Sequence, residues 1–339
     1  MPNTEDFALV VGINDYRSLD ALDGAKNDAN AFLGWLRSPV GGDVPEENVG
    51  VFLSSPEPWA PGLEELVDWM IDLVARRSPG LDQRIGRRLY LFMAGHGIGP
   101  DVDEAGLLVP TTSAVAVKYL AGSRYANFFR AAALFDEVLL FMDCCRDHDW
   151  ELPDAYFPFR ARPDPAAAHR VKILYAFATG FGRKSRERVF DEGDGSVGGV
   201  FTRALLDGLA CKAAAPDGRI TAESLKRYVV RQVEALRLPG TDQRPDVRVI
   251  DDFVLRQGCP PPRVTVVVEL TRPDLGFTVQ DAGNRMALVD IAPRQLDGGQ
   301  IAVDLVPGRI YVFRVMEGGQ QVAEDSLEVT ETGDHHVRL

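Results

Sequence analysis

The sequence predicts an α/β fold in which a mostly parallel sheet is flanked by helices, followed by a small all-β sandwich domain. Two observations predict the α/β part: short apolar runs have the composition of buried strands, and amphipathic helical patterns alternate with them. The strand-like runs cover residues 7–13, 49–53, 88–93, 137–142 and 172–178. Alternation of this kind is typical of a parallel sheet with helices on both faces.

Four segments have helical patterns, and in the one at 62–76 the apolar side chains fall on one stripe, as in an amphipathic helix. These predicted helices cover residues 27–36, 62–76, 200–213 and 221–236. Thr221 with Ser224 marks the start of the last helix, directly after a Pro-Asp-Gly turn at 216–218. A short strand at 247–250 completes the α/β region.

The organisation of the chain changes at residues 258–263, which read Gly-Cys-Pro-Pro-Pro-Arg. Three consecutive prolines cannot continue a helix or a central strand, so this segment predicts a stiff linker. We therefore divide the chain into an α/β domain at 1–257, the linker, and an accessory domain at 264–339. Short alternating runs between turn residues indicate an immunoglobulin-like β-sandwich in the accessory domain. They cover residues 264–269, 276–280, 300–305, 309–315 and 325–329.

Composition limits the partners and the compartment. The chain has 339 residues and a net charge of −13, which argues against nucleic acid or an anionic membrane as a partner and favours a basic peptide. The N-terminus lacks a signal-peptide pattern, and no apolar run approaches the roughly 18 residues of a membrane span. Four cysteines, two of them adjacent, do not form a disulfide framework and predict free thiols in a reducing compartment. We predict a soluble, cytoplasmic protein.

Polar residues follow two of the predicted strands. Gly95-His96-Gly97 comes after the strand at 88–93, and Asp143-Cys144-Cys145-Arg146 comes after the strand at 137–142. The carboxyl ends of parallel strands meet at one edge of a sheet, where open α/β sheets build their sites. A free thiol has a pKa of about 8.5 and is mostly protonated at neutral pH, so a nucleophilic cysteine needs an imidazole beside it. The pattern favours a Cys/His nucleophile pair.

Four segments in order resemble the caspase and metacaspase cysteine peptidases, particularly their bacterial members. They are Ala8-Leu-Val-Val-Gly-Ile-Asn-Asp-Tyr16, Leu22-Asp-Gly-Ala-Lys-Asn-Asp-Ala29, Gly95-His96-Gly97 and Asp143-Cys-Cys-Arg146. The run at 199–209 also resembles the segment that such enzymes carry on the far side of the site. The resemblance covers about residues 5–257 and implies a caspase-like fold and peptidase activity. The interval from His96 to Cys145, 145 − 96 = 49 residues, agrees with the caspase spacing of about 50.

The resemblance implies that Cys145 is the nucleophile and His96 its proton acceptor, because the family pattern is an acid or amide, a small residue, then Cys and Arg. Strand alternation agrees, since it turns Cys144 away into packing. A lone cysteine in an apolar stretch is often only a packing residue, but the glycines beside His96 leave room for a substrate. By resemblance, the amides of Gly97 and Cys145 bind the oxyanion. The sequence names no third residue that orients the imidazole.

Substrate specificity is the next expectation from the resemblance. Caspases that cut after aspartate hold it with arginines, whereas metacaspases that cut after Arg or Lys line the pocket with acids. Asp28 and Asp143 match those acids, so we expect cleavage after Arg, with Lys second, through charge-assisted hydrogen bonds. The alternatives are a first-turn or capping acid for Asp28 and a hydrogen-bonded strand-end acid for Asp143. Ala25 and Asp147 depart from the family, which has Cys and Gly there.

Two segments, 147–170 and 180–199, have the composition of mobile loops beside the site. Both contain basic residues, so we expect self-cleavage in one of them, or cleavage by an upstream activator protease or control by a regulator. The alternative is a solvated charged loop. The candidate self-cleavage residues are Arg160, Arg162, Arg183, Lys184, Arg186 and Arg188.

No metal or other cofactor is expected to be required. Cys144-Cys145-x-x-His148 has no second ligand pair for zinc, and His335-His336 is predicted to be a solvated tail rather than a metal site. Asp147, Asp149 and Glu151 lack a recognisable calcium spacing, so calcium dependence stays open. The function predicted is a cysteine endopeptidase of limited, regulated proteolysis. The alternative is a catalytically silent caspase-like scaffold whose β domain binds partners.

Overall fold

The computed structural model describes residues 2–113, 115–147, 155–160, 164–190, 195–272, 274–284, 286–296, 299–330 and 334–339. The chain divides into two compact units. The first comprises Met1–Ala213 and Thr221–Arg256, and the second comprises Ala214–Ile220 and Gln257–Leu339.

The elements up to residue 256 build a sheet with helices around it. The strands are β1 Asp6–Gly12, β2 Val49–Leu53, β3 Ser55–Pro56, β4 Trp59–Ala60, β5 Gly86–Ala94, β6 Gly97–Ile98, β7 Gly106–Leu108, β8 Tyr119–Ala121, β9 Phe135–Asp143, β10 Lys172–Phe177, β11 Glu187–Val189, β12 Val197–Gly199, β13 Ile220–Thr221, β14 Asp246–Ile250 and β15 Val254–Arg256. The α-helices are α1 Ala25–Arg37, α2 Leu63–Arg77, α3 Gly122–Ala131, α4 Pro165–Ala168, α5 Val200–Asp207 and α6 Ala222–Leu236. A short 3₁₀-helix covers Glu46–Asn48, and a π-helical turn covers Gly208–Lys212.

The central sheet has the strand order β14-β10-β9-β5-β1-β2. Its neighbouring strands are parallel except for β14, which runs antiparallel to β10 at the edge. The inner strands β1, β5 and β9 are apolar on both faces and almost wholly buried, as expected for strands covered by helices. The predicted mostly parallel α/β sheet is therefore confirmed. Because β5 lies between β1 and β9, Ala94 is in register with both Gly12 and Asp143.

The helices differ from the sequence prediction at particular points. Thr221 caps α6, as its hydroxyl accepts the backbone N–H of Ser224 and Ser224 Oγ accepts the Thr221 N–H. The predicted helix at 200–213 ends earlier, because α5 runs into a π-helical turn in which Cys211 has a φ of 83°. The sequence did not predict α3. The N–H of Gly122 donates to the Ala105 carbonyl, and those of Ser123 and Arg124 donate to the Glu104 carboxylate, outside the helix.

The second unit is a β-sandwich with two four-stranded sheets among its described residues. Its strands are β16 Val264–Glu269, β17 Phe277–Asp281, β18 Ala287–Leu288, β19 Arg294–Gln295, β20 Ile301–Leu305, β21 Arg309–Glu317, β22 Gln320–Val329 and β23 His335–Arg338. The sheet orders are β19-β20-β16-β23 and β18-β17-β21-β22, and Val266, Val303 and Phe313 pack in the core between them. The predicted solvated tail at His335-His336 is wrong, because β23 pairs with β16 and buries His335.

The cysteines also require a correction. Cys144 and Cys145 are free, whereas Cys211 and Cys259 are disulfide-bonded. The prediction of free thiols is wrong for the latter two, because a cysteine count does not determine which side chains the fold brings within bonding distance. The cysteine content therefore gives no support to a reducing compartment. No helix in the described ranges is long and apolar enough to cross a bilayer.

Candidate active site

His96 lies just beyond the carboxyl end of β5. Gly95 precedes it with a φ of 154°, and a Cβ at residue 95 would lie 2.6 Å from Tyr16 Oη and 3.2 Å from the Ile13 carbonyl oxygen. A side chain at this position would therefore meet both an unfavourable backbone conformation and a filled space. Glycine allows the chain to leave the sheet and present His96 at its edge.

The imidazole of His96 is held from the loop that follows β1. The rings of Tyr16 and His96 have centroids 4.8 Å apart, and His96 Nε2 lies 2.9 Å from the Asp20 carbonyl oxygen. A carbonyl can only accept, so Nε2 carries the proton in this contact and Nδ1 of the neutral ring keeps its lone pair. The Asp20 carbonyl is the orienting group that the sequence analysis could not name. Every residue has a main-chain carbonyl oxygen, so the residue types in the sequence do not reveal this contact.

Cys145 follows the end of the neighbouring strand β9 and lines a cavity of about 580 Å³ together with His96 and Gly97. Its Sγ is half-buried and lies 3.8 Å from the Ser185 carbonyl oxygen. Cys144 is only 2% exposed and packs into the core. The structure therefore brings His96 and Cys145 to one cavity and turns Cys144 away from it.

The environment of Cys145 does not favour a thiolate in the resting protein. Burial raises the pKa of the thiol above its usual value, and the charge of Asp143 raises it further, while the charge of Lys184 opposes this. The thiol is therefore protonated at neutral pH, and an attack by sulfur needs a base that removes the proton. His96 lines the same cavity as Cys145, and its Nδ1 lone pair can accept that proton.

Arg146 anchors the main chain directly after Cys145. Its side chain is fully buried, pairs with Asp246 at 3.1 Å and donates to the Val102 carbonyl at 2.6 Å. Its guanidinium also lies 4.5 Å from the ring centroid of Phe177. The Arg146 backbone N–H donates to the Arg183 carbonyl. These contacts fix the segment that carries the candidate nucleophile to both the core and the main chain at Arg183.

Asp28 and Asp143 line the same cavity and are 6% and 7% exposed. Both oxygens of Asp28 accept the Gly199 N–H, at 2.9 and 3.0 Å. Asp143 Oδ2 accepts the N–H and hydroxyl of Thr202, and Oδ1 accepts the Ser185 hydroxyl at 2.7 Å. Asp28 lies in the first turn of α1 but does not cap it, since Gly24 is the N-cap residue. Asp143 is a hydrogen-bonded strand-end acid that also borders the cavity.

A third carboxylate, missed by the sequence analysis, lies on the same cavity. Glu187 begins β11, and its oxygens accept the backbone N–H groups of Gly24 and Asp23 at 3.2 and 3.4 Å. Its sequence neighbours are mostly charged, so nothing in the sequence distinguished it from a solvated loop acid. Burial raises the pKa of Glu187, and the charge of Asp143 adds to this.

Burial and mutual repulsion act on the two aspartates as well. Burial raises the pKa of Asp28 well above its usual value, and the charges of Asp143 and Glu187 raise it further. Burial also raises the pKa of Asp143, although the hydrogen bonds from Thr202 and Ser185 oppose the change. Two buried acids and a half-buried one at the same cavity are costly to ionise together, and a cation bound among them lowers that cost.

The candidate self-cleavage residues lie in different environments. Arg183 pairs with Asp242, Lys184 pairs with Asp147 at 3.5 Å, and Lys184 and Arg186 line the cavity. Arg188 lies within β11, which pairs with β12, so the loop predicted at 180–199 contains a hairpin. Arg160 is exposed, and Arg162 lies outside the described residues.

The described ranges contain no group of three His, Cys, Asp or Glu side chains arranged to hold a metal ion. The zinc and calcium alternatives of the sequence also involve residues outside the described ranges, namely His148, Asp149 and Glu151.

A parallel α/β sheet that presents a cysteine and a histidine at the ends of adjacent strands defines a protein of the caspase-like cysteine peptidase class. The family model described as Caspase domain matches residues 5–250. The chain therefore belongs to the caspase family of peptidases.

The chain is also similar to individual known proteins. The chain is 28% identical over 292 residues to a probable protease from a Desulfuromonadales bacterium, covering 78% of this chain and 34% of that protein. It thus spans about a third of the length of that relative. Among solved structures, caspase-1 from Spodoptera frugiperda matches with a TM-score of 0.46 and 18% identity, covering 73% of this chain and 89% of that one. The structure of pro-sf-caspase-1 matches with a TM-score of 0.43 and 16% identity, covering 73% and 88%.

Proposed function

We propose that the protein is a cysteine endopeptidase that cleaves polypeptides after Arg, and second after Lys, through Cys145 and His96. The observation that carries this proposal is that the carboxylates of Asp28, Asp143 and Glu187 line the same cavity as the thiol and the imidazole. Caspase-family membership supports the peptidase reaction, and the acids support the choice of a basic side chain.

The reaction starts with a proton transfer from Cys145 Sγ to His96 Nδ1, while Nε2–H stays on the Asp20 carbonyl. The sulfur then attacks the scissile carbonyl carbon, and the electron pair of the C=O π bond moves onto the carbonyl oxygen. The imidazolium returns the proton to the leaving amine as the C–N bond breaks, which leaves a thioester on Cys145. Water, deprotonated by His96, attacks the thioester and releases the new carboxyl end and the thiol.

The Gly97 amide has an orientation that suits an oxyanion donor. The Leu108 N–H donates to the His96 carbonyl, directly before β6 begins, and Gly97 pairs with Leu107. In an antiparallel ladder the next pair, Gly97 with Leu107, is not hydrogen-bonded, and the Gly97 N–H points away from β7. Together with the Cys145 amide it supplies two donors beside the reacting carbon, and one such donor is worth roughly 3 kcal/mol of barrier.

An arginine side chain fits the acids better than a lysine. The planar guanidinium has five donors and can serve two carboxylates at once, whereas an ammonium is a single compact charge. Because the backbone and hydroxyl donors leave lone pairs on Asp28, Asp143 and Glu187 unused, each acid can still accept from a bound cation. Binding then relieves the repulsion among these acids, which adds to the affinity.

The deciding experiment is hydrolysis of matched fluorogenic peptides ending in Arg, Lys or Asp, with and without calcium. We expect turnover of the Arg peptide above the Lys peptide, loss of both in Cys145→Ala, and retention in the folded control Cys144→Ala. Turnover of the Asp peptide alone would overturn the specificity but keep the peptidase. Absence of turnover by folded wild type in every condition would overturn the proposal and favour the scaffold alternative.

We extend the proposal to regulation by self-cleavage after Arg160. A protease needs an extended, accessible segment, and Arg188 is less suitable because its strand is paired. Arg160 is exposed next to Phe159, which stacks on Phe128 of α3 at a centroid distance of 4.2 Å. Intact-mass analysis of active wild type should give two fragments, one that ends at Arg160 and one that begins at the next residue. A single uncut chain, or the same fragments from Arg160→Gln, would contradict this assignment.

A further inference from the structure

We infer that Tyr16 is a positioning residue for His96, a role that rests on the proposed function. Tyr16 is 6% exposed, and its Oη accepts the backbone N–H of His96 at 2.7 Å. Its ring lies against the imidazole at a centroid distance of 4.8 Å and an interplanar angle of 57°. One side chain thus contacts both the main chain and the ring of the residue that must accept the thiol proton.

The His96 amide needs an acceptor outside the central sheet. It follows Gly95, whose backbone conformation takes the chain out of β5, and the central-sheet pairing of β5 with β9 ends at Ala94. A buried N–H without an acceptor is costly, so the phenol oxygen replaces the ladder partner that the strand end has lost. The Tyr16 hydroxyl therefore fixes the position of residues 95–97. This places both the His96 side chain and the Gly97 amide.

The loop that carries Tyr16 is itself held firmly. The backbone N–H groups of Asn14 and Asp15 donate to Ser54 Oγ at 2.9 and 3.1 Å, and Asn14 Oδ1 accepts the Lys26 N–H at 2.8 Å. The same loop supplies the Asp20 carbonyl to His96 Nε2. It therefore contacts the histidine at two points, the Tyr16 hydroxyl at the main chain and the Asp20 carbonyl at the ring.

Positioning matters here because proton transfer and the attack of sulfur on the substrate require close, aligned groups. Small displacements therefore lower the rate strongly. Tyr16→Phe keeps the ring against the imidazole and removes only the acceptor of the His96 N–H. We expect kcat for the Arg peptide to fall about tenfold, the effect of one lost hydrogen bond in the transition state, with KM within about twofold. Loss of substrate contacts would change KM instead.

The matched control is Tyr125→Phe. Tyr125 is fully buried on α3, and its hydroxyl donates to the Tyr156 carbonyl at 2.8 Å, away from the cavity. Tyr125→Phe therefore removes one hydrogen bond of a buried tyrosine and leaves the contacts of His96 intact. Thermal melting of both variants measures the structural cost that they share, and kcat should fall only in Tyr16→Phe. Unchanged kcat in Tyr16→Phe, or an equal fall in Tyr125→Phe, would overturn the inference.

A second readout does not depend on peptide turnover. Alkylation of Cys145 by iodoacetamide at pH 7 reports how readily the thiol loses its proton, and should slow in both His96→Ala and Tyr16→Phe but not in Tyr125→Phe. If wild type cleaves no peptide, the proposed function fails while this rate still decides the role of Tyr16. A rate that is the same in Tyr16→Phe and wild type, or that does not respond to His96→Ala, would overturn the inference.

Discussion

Asp28 and Asp143 both place a carboxylate oxygen against Gly199. The Gly199 N–H donates to Asp28, and a Cβ at residue 199 would lie 3.0 Å from Asp28 Oδ2 and 2.1 Å from Asp143 Oδ2. The φ of Gly199 is −70°, so the requirement for glycine there is spatial rather than conformational. The start of α5 thus sets the separation of the two acids that we propose to bind the basic side chain.

The first prediction concerns this close approach. Gly199→Ala should lower cleavage of the Arg peptide at least tenfold and cost about 1–3 kcal/mol of unfolding free energy, because the new methyl group must displace the Asp143 carboxylate. Steady-state kinetics and urea unfolding measure the two effects. The control is Gly34→Ala on α1, where a Cβ meets nothing within 4 Å. This substitution should stabilise the helix without changing activity. Full activity in Gly199→Ala would contradict the proposed pocket.

The second prediction separates binding from stability. Because burial and the charge of Asp143 raise the pKa of Asp28, the folded state holds this proton more tightly than the unfolded chain does. Stability contributed by the protonated form is therefore lost as pH rises above about 4, the unfolded value. Asp28→Asn keeps an oxygen for the Gly199 N–H and has no charge to bury.

Asp28→Asn should therefore melt higher than wild type at pH 8, with the difference shrinking toward pH 4, while KM for the Arg peptide rises about tenfold or more. Thermal melting across pH and steady-state kinetics at pH 8 test both effects in one variant. A melting difference that does not change with pH would mean that Asp28 carries no buried charge. Unchanged KM would exclude it from the pocket.

The third prediction distinguishes the two adjacent cysteines. Cys144 is 2% exposed and Cys145 is half-buried on the cavity, so iodoacetamide should modify Cys145 at least tenfold faster in the native protein. Burial raises the pKa of both thiols, and that of Cys144 is raised further. Peptide mapping by mass spectrometry measures the two rates, and unfolding in urea should make them similar. Faster native modification of Cys144 would reverse the assignment of the nucleophile.

The sequence was sufficient to predict the central sheet, because parallel strands buried on both faces contain continuous apolar runs, and β5 and β9 have such runs at residues 89–94 and 138–142. It also predicted that His96 and Cys145 lie near each other, since each comes shortly after such a strand, and both line one cavity. It could not reveal Glu187 or the Asp20 carbonyl, because their contacts join segments that are distant in sequence. The helix α3 was missed for the same reason: its amino end is satisfied by Glu104 from another segment.

The last prediction tests how the chain after Cys145 is held. Arg146 is fully buried, and its ionic partner Asp246 on β14 also binds Arg248 at 2.7 Å. Burial acts to raise the pKa of Asp246, but the hydrogen bonds and charges of Arg248 and Arg146 outweigh it and lower the pKa below its usual value. The ionised form therefore stabilises the fold above about pH 4, and this contribution is lost as pH falls through the lowered value.

Asp246→Asn leaves the Arg146 charge buried without its acid, which should cost about 3 kcal/mol at pH 7 and less below pH 4. The control Asp274→Asn removes an exposed partner of Arg272 and should leave stability nearly unchanged. Because Arg146 follows Cys145 directly, kcat should also fall in Asp246→Asn while KM for the Arg peptide holds. Urea unfolding at pH 7 and pH 3.5 measures the first effect. Equal losses in the two variants would mean that Arg146 does not depend on Asp246, and that its backbone carbonyl partners alone hold the segment after the nucleophile.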